Sequence, residues 1–105
     1  MATVTVEAGI CGFTTKIRAD RLGKYQVRLI VETDCKHIEK MAQELTEVNA
    51  LEEISARKDG QIRSLFRQFG AHGACPVPAG MIKAVEVAAG LALPRDAVIR
   101  VSGED

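Results

Sequence analysis

The chain has 105 residues, 47% of them hydrophobic, and its 14 basic and 14 acidic side chains give a formal net charge of zero. This length predicts a single domain, residues 1–105, and the balanced charge argues against nucleic acid and against an anionic membrane as partners. Aromatic residues for base stacking are few, and no apolar run approaches the roughly 20 residues of a membrane-spanning helix.

Strand-like alternation dominates the first third of the chain. Residues 2–8 alternate apolar and polar side chains, and the same period recurs in residues 13–19 and 25–31, which flank a turn ending at Gly23. A period of two predicts strands with one buried face, so the second and third segments are expected to form a β-hairpin.

Helical spacing follows the hairpin. Apolar residues three and four positions apart predict a first helix that runs to Val48 and has Cys35 in its first turn. Three further helices are expected over residues 49–54, 62–69 and 78–89, because capping and terminating residues bound each of these segments.

The last extended segment, residues 97–101, is expected to form a strand that pairs with residues 2–8. The predicted element order is βββααααβ, which gives an α+β fold: a small antiparallel sheet packed by about four helices, with an extra C-terminal strand. Without that last strand, the exposed sheet edge at residues 2–8 offers a route to a homodimer.

The three cysteines stand at junctions between these elements. Cys11 lies in a turn between Gly9 and Gly12, Cys35 where a strand becomes a helix, and Cys75 in a loop before the last helix. Amides at a helix N-terminus lower a thiol pKa, and the thiolate is the form that binds zinc or iron. We therefore interpret the three thiols as metal ligands. The alternative is that all three are small buried hydrophobic side chains, and no Cys-x-x-Cys pair decides between these interpretations.

The cysteines lie in the stretches CGFTTKI at Cys11, TDCKHIEKMA at Cys35 and ACPVPAGMIKAVE at Cys75. These stretches resemble the IscU/NifU-type iron–sulfur cluster scaffold proteins over about residues 8–90. Over its whole length the chain also resembles an uncharacterised family of small proteins from anaerobic microbes.

The resemblance to the scaffold proteins implies an IscU/NifU-like fold and an iron–sulfur cluster or zinc held by Cys11, Cys35 and Cys75. It also implies a carrier, accessory or scaffold-like role, with a protein partner for cluster or metal transfer. Two positions depart from the pattern, since Phe13 stands where the scaffold proteins have Asp and Ala74 where they often have His.

Three thiolates leave one position open on a tetrahedral metal ion. His72 is the preferred fourth ligand because it shares a loop with Cys75. Asp34 and His37 are alternatives, although Asp34 suits a helix cap and His37 is expected to face solvent. Water or a ligand from a partner protein can equally fill the fourth position.

The leading hypothesis is a cytoplasmic metal- or iron–sulfur-binding protein that is not an enzyme. The cytoplasmic expectation rests on an odd number of cysteines and on an N-terminal segment without the features of a signal peptide. Two alternatives stay open. One is a metal-free protein-interaction module on the same fold, and the other is a thiol enzyme with Cys75 as nucleophile and His72 as base.

Overall fold

The regular elements of the chain form a sheet and the helices that cover one of its faces. The structure is a computed structural model that describes residues 1–104. Within this range there are four strands and four helices: β1 (Ala2–Glu7), β2 (Thr14–Arg21), β3 (Gln26–Glu32), α1 (Lys36–Gln43), β4 (Glu47–Asn49), α2 (Ala50–Glu53), α3 (Gln61–Phe69) and α4 (Val77–Ala88). The predicted α+β class is confirmed.

The described strands form one antiparallel sheet in the order β1-β2-β3-β4. The β2–β3 hairpin is formed as the alternation predicts, and Ile17 in β2 lies opposite Val4 in β1 and Val31 in β3. Every second side chain of β2 from Thr15 to Ala19 is buried, while those between them are exposed. One face of the sheet therefore packs on the helices and the other faces solvent.

A fourth strand replaces the end of the predicted first helix. α1 ends at Gln43, and β4 pairs with β3 so that Val48 lies opposite Val27. Val48 is buried, as its place in the helical pattern suggests, but it is buried from a strand. The β-branched side chain suits this position, and the edge of β3 gains a hydrogen-bonding partner that a helix would not supply.

The predicted C-terminal strand is absent, because residues 97–101 have no regular secondary structure. Residues 94–98 lie across a cavity of about 720 Å³ from β1, and the described backbone hydrogen bonds include none between these two segments. Neighbouring strands of a sheet are joined by backbone hydrogen bonds, so these two segments are not paired. Among the described strands, β1 is therefore one of the two free edges of the sheet, and the short β4 is the other.

Helix α4 packs directly against the sheet. It contacts β1 and β2, and a Cβ atom built at Gly80 would overlap the side chain of Val6. A glycine is needed here because the helix approaches the strand so closely. The largest fully buried side chains of the core are Ile17, Ile38, Met41, Leu45, Ile62 and Met81.

A buried carboxylate joins α2 to α3. Gly60 precedes α3 and has no side chain to cap it, and instead the Glu53 carboxylate accepts hydrogen bonds from the backbone N–H groups of Gln61 (2.9 Å) and Ile62 (3.0 Å). Free N–H groups at a helix N-terminus favour a negative charge. Glu53 thereby fixes the start of the helix that carries Phe66 and Phe69 to the candidate site.

The lengths of the helices bear on membrane insertion. Among residues 1–104, no helix is both long enough and apolar enough to cross a bilayer.

Candidate metal centre

All three cysteines line one cavity of about 490 Å³, although they are far apart in sequence. The cavity lies where the turn after β1, the start of α1 and the loop before α4 meet. Both histidines, His37 and His72, line the same cavity. The rest of its lining is mainly apolar and comprises Ala8, Ile10, Phe13, Ile38, Phe66, Ala71 and Ala74. Five nitrogen- or sulfur-bearing side chains thus surround one small apolar space.

Cys11 is exposed on a tight turn whose shape depends on glycine. Gly9 and Gly12 have φ angles of 93° and 75°, in the left-handed region that side chains disfavour. The turn is closed by hydrogen bonds from Gly12 N–H to Gly9 O (2.9 Å) and from Ala8 N–H to Phe13 O (3.1 Å). A Cβ atom at either glycine would meet nothing within 4 Å. The glycines therefore permit the turn that presents Cys11.

Cys35 is the N-cap of α1. The prediction that it lies in the first turn of this helix is therefore wrong. Its backbone N–H donates to Thr33 Oγ1 at 3.1 Å, and its carbonyl accepts from Glu39 N–H at 2.9 Å. The Thr33 hydroxyl also lies 2.9 Å from Thr15 Oγ1. Cys35 is thus held between the end of β3 and the first turn of α1.

Cys75 is partly buried and is held by its backbone N–H, which donates to His72 O at 3.2 Å. Burial is the main cause that raises the pKa of the Cys75 thiol above its ordinary value. A hydrogen bond from the Val77 backbone opposes this, and the neighbouring Cys35 and Cys11 raise the pKa further by repulsion between thiolates. The prediction that amides near a helix N-terminus lower the thiol pKa is therefore wrong for Cys75. Desolvation of the thiol outweighs the contribution of the backbone.

His37 is exposed, as expected, yet it also borders the cavity. Its Nδ1 lies 3.1 Å from the carbonyl oxygen of Phe69, the last residue of α3. A carbonyl only accepts hydrogen bonds, so this contact requires a hydrogen on Nδ1, and in the neutral ring the lone pair then lies on Nε2. Sequence reasoning missed this arrangement because it depends on α3 packing against α1.

The other two candidates for a fourth ligand are placed differently. His72 is exposed and lines the thiol cavity together with Cys75. Asp34 instead lines a separate cavity of about 660 Å³ with Lys16 and Glu39. The structure therefore brings both histidines to the cysteines and leaves Asp34 apart from them.

The distances between the candidate ligands are larger than a metal ion requires. Within the described residues, no three Cys, His, Asp or Glu side chains are close enough to hold one ion together. The arrangement is a set of potential ligands around a cavity and not a closed coordination sphere.

Comparison with known proteins gives one family assignment. No curated protein and no solved structure matches the chain, so no neighbour bears on its likeness to the cluster-scaffold fold. The profile of one protein family matches residues 2–101, which is nearly the whole length of the chain. The chain therefore belongs to DUF6951, a family of unknown function.

Proposed function

We propose that the protein binds a transition metal, as zinc or an iron–sulfur cluster, through Cys11, Cys35 and Cys75. The observation that carries this proposal is the single cavity that collects every cysteine of the chain. Thiolates are soft ligands that prefer zinc, copper(I) and iron–sulfur clusters, whereas the carboxylates that prefer magnesium and calcium do not line this cavity. The donor set therefore fits a thiolate-bound metal.

Binding requires the thiols to move together, and the Cys11 turn is the element that can do so. Cys11 is exposed, and there is open space beside Gly9 and Gly12. Fixing a fully flexible residue costs about 1–2 kcal/mol, which is an upper bound for each of residues 9–12 because they already form a defined turn. Structural zinc sites release about 10–16 kcal/mol on binding at neutral pH. The gain from coordination exceeds the cost of closing the turn.

We assign the fourth ligand to His37 Nε2 in preference to His72. Histidine ligands of metals usually donate their other ring N–H to a carbonyl or carboxylate, which fixes the ring and its tautomer. The contact between His37 Nδ1 and Phe69 O has this form, and no comparable contact of the His72 ring occurs among the hydrogen bonds of residues 1–104. The proposal thus revises the ligand set inferred from sequence.

The raised pKa of Cys75 makes metal binding dependent on pH. A metal binds the thiolate, and the pKa of Cys75 is raised mainly by burial, so the thiol is protonated at neutral pH. Protons therefore compete with the metal, and the affinity is expected to increase as pH increases towards that pKa. The same raised pKa disfavours the alternative of a thiol enzyme, because a nucleophilic cysteine needs a lowered pKa.

The wider proposal is a cytoplasmic carrier or accessory protein with an IscU/NifU-like fold. The resemblance around the three cysteines supports it, and so does the arrangement of hairpin strands followed by helices. All three cysteines are free, as a reducing compartment requires. A protein that receives the metal would dock at the cavity mouth.

A metal-free interaction module is the second candidate. Ile10 is fully exposed and Phe13 is 39% exposed, and both border the cavity on the Cys11 turn. Exposed apolar side chains beside a mainly apolar cavity are typical of a docking surface for a protein partner.

The experiment is anaerobic purification followed by metal and sulfide analysis and a visible absorption spectrum. We expect about one zinc ion or one cluster per chain, where iron with acid-labile sulfide and visible colour identifies the cluster. Cys75→Ser should lose the metal while its circular dichroism still shows a folded chain. Mutating a residue that only hydrogen-bonds to a metal ligand already weakens metal binding about 10–100-fold. His37→Gln removes the proposed ligand itself, so it should lower the metal affinity at least about tenfold. The matched variant His72→Gln should leave the affinity unchanged.

Two results would contradict the proposal. A wild-type protein that holds no metal after anaerobic purification leaves the interaction module as the function. Equal metal affinity in wild type and Cys75→Ser would show that the bound metal lies elsewhere.

A further inference from the structure

The free edge of β1 is a site for strand addition. β1 pairs with β2 alone among the described strands, so every second backbone N–H and C=O along residues 2–7 points away from the sheet. Within this described edge there is no proline and no bulge. Such an edge is a template for another extended segment.

The segment after α4 has the properties of the missing strand. Val98, Ile99 and Val101 are 66%, 81% and 90% exposed, which is unusual for three apolar side chains in so short a stretch. Alternate residues Ala97, Ile99 and Val101 share one face of an extended chain. β-branched residues in this pattern favour a strand that is buried on one side.

We propose that residues 97–101 of one copy pair with β1 of a second copy, and that the exchange is reciprocal. Five extended residues span about 17 Å, which fits along the six-residue β1. The exchange applies the same contact twice about a two-fold axis, so it closes as a dimer and does not propagate.

The side of the sheet covered by α4 can bury the added strand. Lys83 and Val87 of α4 line the cavity beside β1, where Val87 is partly buried and Lys83 is exposed. Ile99 and Val101 of the incoming segment would lie against this flank, on the same face of the sheet as the buried Val6. The apolar stem of Lys83 can cover them while its ammonium group reaches solvent.

A second copy is a better occupant than the same chain's own segment. In one copy, residues 94–98 lie across the cavity from β1, and the side chains that follow project into solvent. The molecule measures 50 Å along one axis and 27 Å along each of the others, so it is far from spherical. A segment that projects in this way reaches a neighbouring molecule, and exchange covers both the segment and the edge.

The test is the mass of the full chain in solution, measured by sedimentation over a wide range of concentrations with a reductant and a chelator present. These additives remove disulfide-linked and metal-bridged species, so the outcome does not depend on the proposed metal site. We expect about twice the 11.3 kDa of one chain. Ile99→Lys combined with Val101→Lys should give a monomer. The matched control, Val98→Lys combined with Ser102→Lys, places the same charges on the opposite face and should remain dimeric.

Hydrogen exchange of the β1 amides identifies the occupant of the edge. Protection that increases with protein concentration, and that Ile99→Lys with Val101→Lys abolishes, supports the exchange. A protein that is monomeric at all concentrations overturns the proposal. In that case constant protection of β1 would mean that the chain's own residues 97–101 cover the edge, and absent protection would mean that nothing covers it. A dimer that the Ile99 and Val101 substitutions leave intact also overturns it, because another surface would then form the contact.

Discussion

Replacing Glu53 with glutamine tests how the helix beside the candidate site is anchored. The Glu53 side chain is 3% exposed, and its two oxygens accept from Gln61 N–H and Ile62 N–H at 2.9 and 3.0 Å. Glutamine keeps one accepting oxygen and turns an NH₂ group towards the second N–H, which leaves a buried donor without an acceptor. A hydrogen bond to a charged group contributes about 1.5–3 kcal/mol, and the helix dipole adds about 0.3–1 kcal/mol. We therefore expect Glu53→Gln to lower the free energy of unfolding by about 2–3 kcal/mol.

Urea denaturation followed by circular dichroism measures this loss. With a slope of about 1–3 kcal/mol per molar urea, the unfolding midpoint should fall by about 0.7–3 M. Glu52→Gln is the matched control, because Glu52 is the neighbouring residue in α2 and is exposed. Its effect should stay within about 0.5 kcal/mol. Equal midpoints for the two variants would show that the Glu53 carboxylate does not hold the start of α3.

Two further predictions concern α4 and the Cys75 thiol. Gly80→Ala should lower the free energy of unfolding by about 0.5–2 kcal/mol, because overpacking against Val6 exceeds the gain of up to about 1 kcal/mol in helix propensity. The control Gly73→Ala, where a Cβ meets nothing within 4 Å, should not lower it, and a stabilised Gly80→Ala would refute the close packing. Alkylation of Cys75 should show a midpoint at higher pH than N-acetylcysteine in the same buffer, since burial raises the thiol pKa. The elevation should persist when the other two cysteines are serine, because burial is its main cause, and a midpoint at or below the reference would contradict this explanation.

The elements that the sequence predicted correctly are those specified by neighbouring residues. The β2–β3 hairpin follows from alternation around one turn, and Asn49 caps α2 by accepting from the N–H groups of Leu51 and Glu52. The apolar spacing predicts α3 over residues 62–69, and this helix occupies Gln61–Phe69. In each case the interactions that determine the element lie within a few residues of one another.

The predictions of secondary structure are wrong where the conformation of a segment depends on pairing with residues distant in the sequence. Val48 continues a helical pattern in the sequence. In the structure it lies in β4, because this segment pairs with the otherwise unpaired edge of β3. Residues 97–101 have the composition of a strand, yet their position across a cavity from β1 leaves them unpaired in one copy. Strand formation depends on pairing, and local pattern does not reveal which edge is within reach.

The candidate site shows the same division. The sequence by itself determined the chemistry: three thiols at three junctions, with glycines that permit the turn around Cys11. Only the tertiary structure decided which side chains share a cavity, that burial raises the pKa of Cys75, and that Phe69 O orients His37. The physical reason is that side-chain identity and backbone freedom are local properties. Burial, hydrogen-bond orientation and proximity are created by packing between residues distant in the chain.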